Sequence, residues 1–334
     1  MAAPPAKKLK MTAQMPIVFT RHGMKPDTLL KVFGLEFHVH SVVLKINSKF
    51  FHKFMDPDNG VVVVPPASSP FKYEWYTKID DGDKDWCLSA QSELRDVDLS
   101  GFKGGRLEEE SAFYNVICAI FGHPYSIKDA TQLTKMTEIA DYYICLQALS
   151  NSLSTALFNN PGLVKDIPNT ACCMLEVAYK LRHEALFKEC FIHVLGPWTK
   201  PQWRQLADQK LKDMATIADT KIKHKLLIVH SNIIQLHSDQ KRYGGLAAQF
   251  AKISAKCRNV DGKVLQPLYF RELSQLQYDT QGIEITVSQI LAPILENRLE
   301  LDRSRLEAGE GIYEDFFLCA EVKNIPWDRS KKDW

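Results

Sequence analysis

The 334-residue chain has no long apolar run, almost no net charge and no C-x-x-C pair, and each absence removes a class of function. No stretch approaches the roughly 18 consecutive apolar residues of a membrane helix, so no membrane partner is expected. The opening residues MAAPPAKKLK lack the apolar centre of a secretory signal, which points to an intracellular protein, in the nucleus, the cytoplasm or both. A formal net charge of +2 is far from what neutralising many phosphates requires, and nucleic acid is not expected as a partner. The eight cysteines (Cys87, Cys118, Cys145, Cys172, Cys173, Cys190, Cys257 and Cys319) are scattered, most of them inside apolar helical patterns. They read as small buried hydrophobes in a reducing compartment rather than as zinc ligands. There is no G-x-S-x-G elbow, Walker loop, G-x-G-x-x-G turn or H-E-x-x-H pair, and Gly101-Phe102-Lys103-Gly104-Gly105 lacks the Gly-Lys-Ser/Thr ending of a phosphate cradle. His224, His230 and His237 are not at i, i+4 spacing and wind around their helix, a poor metal set. No catalytic residue, cofactor or metal site is therefore expected.

What remains is 45% hydrophobic and 25% charged, enough for a substantial core, and the length suggests two domains. The expected fold class is α+β, with strands and helices in the first half and a mostly helical C-terminal domain. Residues 1–16 form a basic tail without periodicity, expected to be disordered, whose Lys7, Lys8 and Lys10 read either as a nuclear-import signal or as a solvated cluster. From Asp27, TLLKVFG and LEFHVHS are two short β-branched and aromatic runs separated by Gly34, a hairpin pattern. SVVLKINSKFFHKFMD then spaces its apolar residues for two short helices, closed by a turn at Asp56–Gly60 and followed by a short strand, GVVVV. His38 and His40 have no carboxylate or cysteine at metal spacing and read as cap or core histidines; Ser48 is placed to cap the second helix. Residues 66–110 read as an inserted β-hairpin with an acidic tip at Asp80-Asp81-Gly82-Asp83.

Three helices follow, with stripes Phe113, Val116, Ile117, Ile120; Leu133, Met136, Ala140, Tyr143; and Leu146, Leu149, Leu153, Leu157. After Pro161-Gly162, the run from Thr170 carries Met174, Val177, Ala178, Leu181, Leu186 and Phe187 up to a stop at Gly196-Pro197. Residues 202–238 read as one long amphipathic helix. Its stripe Ile222, Leu226, Val229, Ile233, Leu236 is heptad-like but short, which favours a core-facing helix over a coiled coil. A helix over 246–257 and another around Ile290–Leu306 complete the pattern, ahead of the apolar run FFLCAEV.

The segment DTLLKVFGLEFHVHSVVLKINSKFF, Asp27 to Phe51, resembles the signature of the BTB/POZ family, and the combination of hairpin, ADYY segment and closing Pro326-Trp327 resembles the BTB proteins of filamentous fungi. The matching residues are Asp27, Phe37, His40, Val43, Leu44, Ser48, Phe50 and Phe51; Ser41 stands where the family usually has Lys. The resemblance implies a BTB/POZ-like domain over 17–158, a short mixed sheet flanked by a cluster of helices, and a loosely BACK-like helical domain over 159–334. It also implies a non-catalytic interaction module that binds other proteins and forms a two-fold homodimer, with Ile17, Phe19, Val42, Ile46 and Phe54 as candidate dimer surface. A scaffold role is expected, and the alternative is a substrate adaptor bound to a cullin scaffold of ubiquitin ligases. The adaptors' hydrophobic-x-Glu motif is missing after the second short helix, where Asp56 and Asp58 stand instead.

Overall fold

Alternating apolar positions between Thr28 and Val39 need a buried face on at least one side, and in the computed structural model they find one on both. The structure describes residues 15–55, 68–238, 246–276 and 281–331. The strands are β1 (Ile17–Val18), β2 (Thr28–Val32), β3 (Leu35–Val39), β4 (Tyr73–Ile79) and β5 (Trp86–Ser89). They form one mixed sheet in the order β1-β3-β2-β4-β5. The β2–β3 hairpin is antiparallel, with Leu30 opposite Phe37; β1 runs parallel to β3 and β4 parallel to β2. Gly34 sits in its turn, where its amide donates to Glu110 Oε1 at 2.7 Å.

The segment expected as an insertion is thus a structural member of the sheet. Its hairpin is real, β4 and β5 being antiparallel with Tyr76 opposite Ser89, but Tyr73 to Thr77 are all buried. The polar residues that give β4 its alternation are buried with partners. Thr77 Oγ1 accepts the Phe33 amide at 2.8 Å and donates to the Lys31 carbonyl. Burial pushes the Glu74 carboxyl up, yet hydrogen bonds from Ser69, Tyr76 and Arg95 outweigh it and hold the group below its ordinary value.

The chain divides into two compact units: Met1–Tyr125 with Lys135–Leu149, and Ser126–Thr134 with Ser150–Trp334. The first holds the sheet, α1 (Ser41–Asn47), α2 (Lys49–Phe54) and α3 (Arg106–Phe121); the division runs through α4 (Ala130–Tyr142) and α5 (Leu146–Asn159). In the first unit Phe37 meets Phe113 edge-on at 5.6 Å, Phe113 meets Tyr143 at 5.8 Å, and Tyr143 stacks on Phe51 at 5.4 Å. This chain of rings carries the core from the sheet to α2, and Leu44 is fully buried in the same unit.

The second unit contains α6 (Pro161–Lys180), α7 (Glu184–Val194), α8 (Gln209–Ser238), α9 (Leu246–Lys256), α10 (Gln266–Ser274) and α11 (Gln281–Leu295). The run from Thr170 is therefore two helices, broken where Arg182 takes a left-handed φ of 48° and His183 caps the next helix by accepting the Leu186 amide. All six expected apolar positions there are buried. The long helix starts at 209 rather than 202, because Asp208 Oδ1 accepts the Leu211 amide and a 3-10 turn, Gln202–Gln205, precedes it. Its stripe from Ile222 to Leu236 is buried, as expected of a core-facing helix.

The helix expected at Ile290–Leu306 ends at Leu295 instead. Beyond it side chains take the backbone donors: Asn297 Oδ1 accepts the Leu299 amide, and Glu189 accepts those of Glu300, Leu301 and Asp302 at 2.7–3.1 Å. One turn along α7, His193 stacks on Tyr313 at 5.6 Å, and burial lowers its pKa to about 4. Trp327 closes the unit against Phe187 at 5.1 Å and Tyr179 at 6.3 Å. FFLCAEV is buried from Phe316 to Ala320 without forming a strand. The Lys7, Lys8 and Lys10 cluster, most of the 1–16 tail, the Asp56–Gly60 turn and the GVVVV run lie outside the described residues.

Candidate interaction surface

Asp27 ends the loop into β2 and aims its carboxylate at the start of α1. Its Oδ1 accepts the Ser41 amide at 2.7 Å and its Oδ2 accepts the Ser41 hydroxyl at 2.5 Å. The carboxylate thereby caps the positive end of α1 and ties the helix to the sheet. The Ser41 departure noted in the sequence supplies the second of these bonds, a role that its position two residues from the strand end did not advertise. The Asp27 backbone carbonyl also accepts the amides of Lys72 and Tyr73, so one residue joins β2, α1 and the entry to β4.

We expect Asp27→Ala to cost about 1–2 kcal/mol of stability, the loss of a helix cap with charged hydrogen bonds. A double-mutant cycle with Ser41→Ala in urea unfolding should return a coupling of about 1 kcal/mol. Additive single effects would mean the pair does not hold α1.

Ser48 joins the two short helices. Its Oγ accepts the Phe51 amide at 3.1 Å, the expected cap, and donates to the Tyr143 carbonyl at 2.6 Å, pinning α2 to the end of α4. Burial raises the Tyr143 phenol well above its ordinary value, and its oxygen accepts the Leu88 amide from β5. Phe50 is half-buried among Phe54, Trp75, Tyr142 and Tyr143, with ring centroids 4.8–5.9 Å away.

His40 is buried with both ring nitrogens unpartnered, making it a core residue rather than a side-chain cap; only its backbone carbonyl serves α1, accepting the amides of Val43 and Leu44. For His38 the sequence reading needs correction: Glu36, two positions back on the same strand face, brings Oε1 to 2.7 Å from its Nε2, and Phe71 lies against the ring at 4.7 Å. Among the described residues no three His, Cys, Asp or Glu side chains gather closely enough to hold a metal ion.

The expected surface residues divide. Val42 is 43% exposed, Ile46 77% and Phe54 38%, and the first two are four positions apart on one face of α1. Ile17 is half-buried in β1, and Val43 is half-buried as well. Phe19 does not belong to the surface: it is 2% exposed and packs on Phe121 and His123 at 5.0 Å and on Tyr114 at 6.5 Å. The two-residue β1 ends before Phe19, which turns inward over α3, so the outward position of that strand is Val18, exposed and opposite His38 in register. Period-two alternation from Ile17 would have found it. No helix among the described residues is long and apolar enough to cross a membrane. Comparison with protein-family models, curated proteins and solved structures gives no match for the chain.

Proposed function

We propose that the first unit is a BTB/POZ-type fold and that the chain is a non-catalytic interaction module, a scaffold that pairs with a second copy of itself through the outward face of α1 and α2. The observation that carries this reading is the exposure of Val42, Ile46 and Phe54 on helices whose other faces are locked into the core by Asp27 and Ser48. Bulky aliphatic and aromatic groups on a rigid face gain free energy when a partner removes them from water, at about 25 cal/mol per Å². A single patch on one chain, repeated by a two-fold axis, satisfies both chains at once. The order of elements from β2 to α2, the shared interior of Phe37, Leu44 and Phe51, and the Ser48 cap support the family reading.

The test is co-purification of two differently tagged copies expressed together. The unaltered chains should capture each other, and Ile46→Asp in both should reduce capture at least ten-fold, because it places two charges where apolar area was to be buried. Ile46 faces solvent, so the variant should fold as before by circular dichroism. Undiminished capture by the folded variant would remove α1 from the interface.

A further inference from the structure

The 30-residue α8 has a second apolar stripe, on the side opposite its buried one. At 100° per residue, Ile222, Leu226, Val229, Ile233 and Leu236 cluster on one face, whereas Ile217, Leu227, Ile228 and Ile234 lie across the axis from them. All four are exposed, Leu227 by 69% and Ile234 by 67%. A helix serving only its own core would be polar there. Thr220, Leu227 and Ile234 form one row at seven-residue spacing and Ile217, His224 and Ser231 the next, so bulky side chains alternate with the recesses left by Thr220 and Ser231.

The charges around this stripe are mainly basic. From Ile217 to Ser238 the helix carries Lys221, Lys223 and Lys225 against one acid, the buried Asp219, and the exposed Asp213 lies a turn before Ile217 on the same side; Lys221 and Lys223 stand on opposite borders of the stripe. Lys223 pairs with the buried Asp219 at 2.6 Å, and Lys225 donates to the Pro293 carbonyl. We infer that the outward face of α8 is a docking site for an acidic amphipathic helix of another protein, whose aliphatic knobs enter the Thr220 and Ser231 recesses and whose carboxylates flank them. A second copy of this face brings lysine against lysine, and Asp219 is buried and already taken by Lys223. The basic residues 1–14 are excluded by the same argument. A bilayer surface is disfavoured because the stripe holds no Trp, Tyr or Phe for the interface. The site is independent of the pairing proposed for α1.

The experiment uses the full chain carrying Ile46→Asp, which keeps the α1 pairing out of the measurement, and two labelled helical peptides with the same leucine heptads, one flanked by Glu and one by Lys. Fluorescence anisotropy should show the Glu peptide binding at least ten-fold more tightly, with an affinity that falls as salt rises. Leu227→Glu with Ile234→Glu should abolish that binding. Lys221→Glu with His224→Glu, which leaves the aliphatic groups in place, should narrow the preference at least five-fold. Equal affinity for the two peptides, binding to neither, or binding that survives the Leu227/Ile234 change would overturn the proposal. So would co-sedimentation with phosphatidylserine vesicles, or a self-association of this chain, that the same change abolishes.

Discussion

Phe51→Ala should lower the unfolding free energy of the first unit by about 3–5 kcal/mol, the range for deleting a fully buried aromatic ring. Phe51 is 1% exposed; its ring lies flat on Tyr143, with planes 3° apart, and meets Trp75 edge-on at 5.9 Å. Removing it takes the fully buried ring of α2 out of that chain and leaves only the half-buried Phe50 against Tyr143 and Trp75, so Ser48 then caps a helix with much less to bury. Its neighbour Phe50 touches more rings but stays half-buried, so Phe50→Ala should cost less than half as much. Because two compact units need not unfold together, the comparison is best read from hydrogen exchange of the β2 and β3 amides. Equal losses for the two variants would contradict the ring chain as the organiser of this core.

The second large effect belongs to Glu189. Its carboxylate is almost fully buried on α7, and burial pushes its pKa up in spite of the three backbone amides it accepts. Glu189→Ala leaves three consecutive donors, Glu300 to Asp302, without that acceptor, and a hydrogen bond to a charged group contributes about 1.5–3 kcal/mol. A loss of at least about 3 kcal/mol is expected, with the 296–306 segment exchanging its amides faster by hundreds-fold. Glu189→Gln keeps an accepting oxygen and removes a costly buried charge, so it should recover more than half of the difference. If Gln proved as damaging as Ala, the carboxylate's charge rather than its acceptor geometry would be what holds the segment.

The parts of this fold legible in the sequence are those governed by local periodicity. The β2–β3 hairpin, the two short helices, the Ser48 cap and the stripes on α3 to α5 follow from apolar spacing and one capping residue, and they stand where that spacing puts them. What the sequence hid depends on partners far along the chain. The membership of β4 in the sheet rests on pairing with β2, 45 residues earlier at Thr28 and Tyr73. The end of α11 depends on Glu189, more than 100 residues upstream, and the α6–α7 break on His183, an uncommon capping residue whose other ring nitrogen lies 2.8 Å from Ser154 Oγ. In the candidate surface, Val42, Ile46 and Phe54, expected there from the family resemblance, are exposed. Phe19, expected with them, is buried, and only the fold shows that α3 offers it a pocket of rings.

The outer stripe of α8 shows the same limit from the other direction. Periodicity finds both of its apolar faces, but only packing tells which one the unit uses, and the unused one then becomes informative.

That the face of α1 and α2 joins two copies of this chain is tested most directly by sedimentation equilibrium across a concentration series. A two-fold pair gives a mass near twice the 38.1 kDa of one chain at micromolar concentration and a return to one chain's mass in Ile46→Asp. A mass of 38.1 kDa at every concentration for the unaltered protein would contradict it.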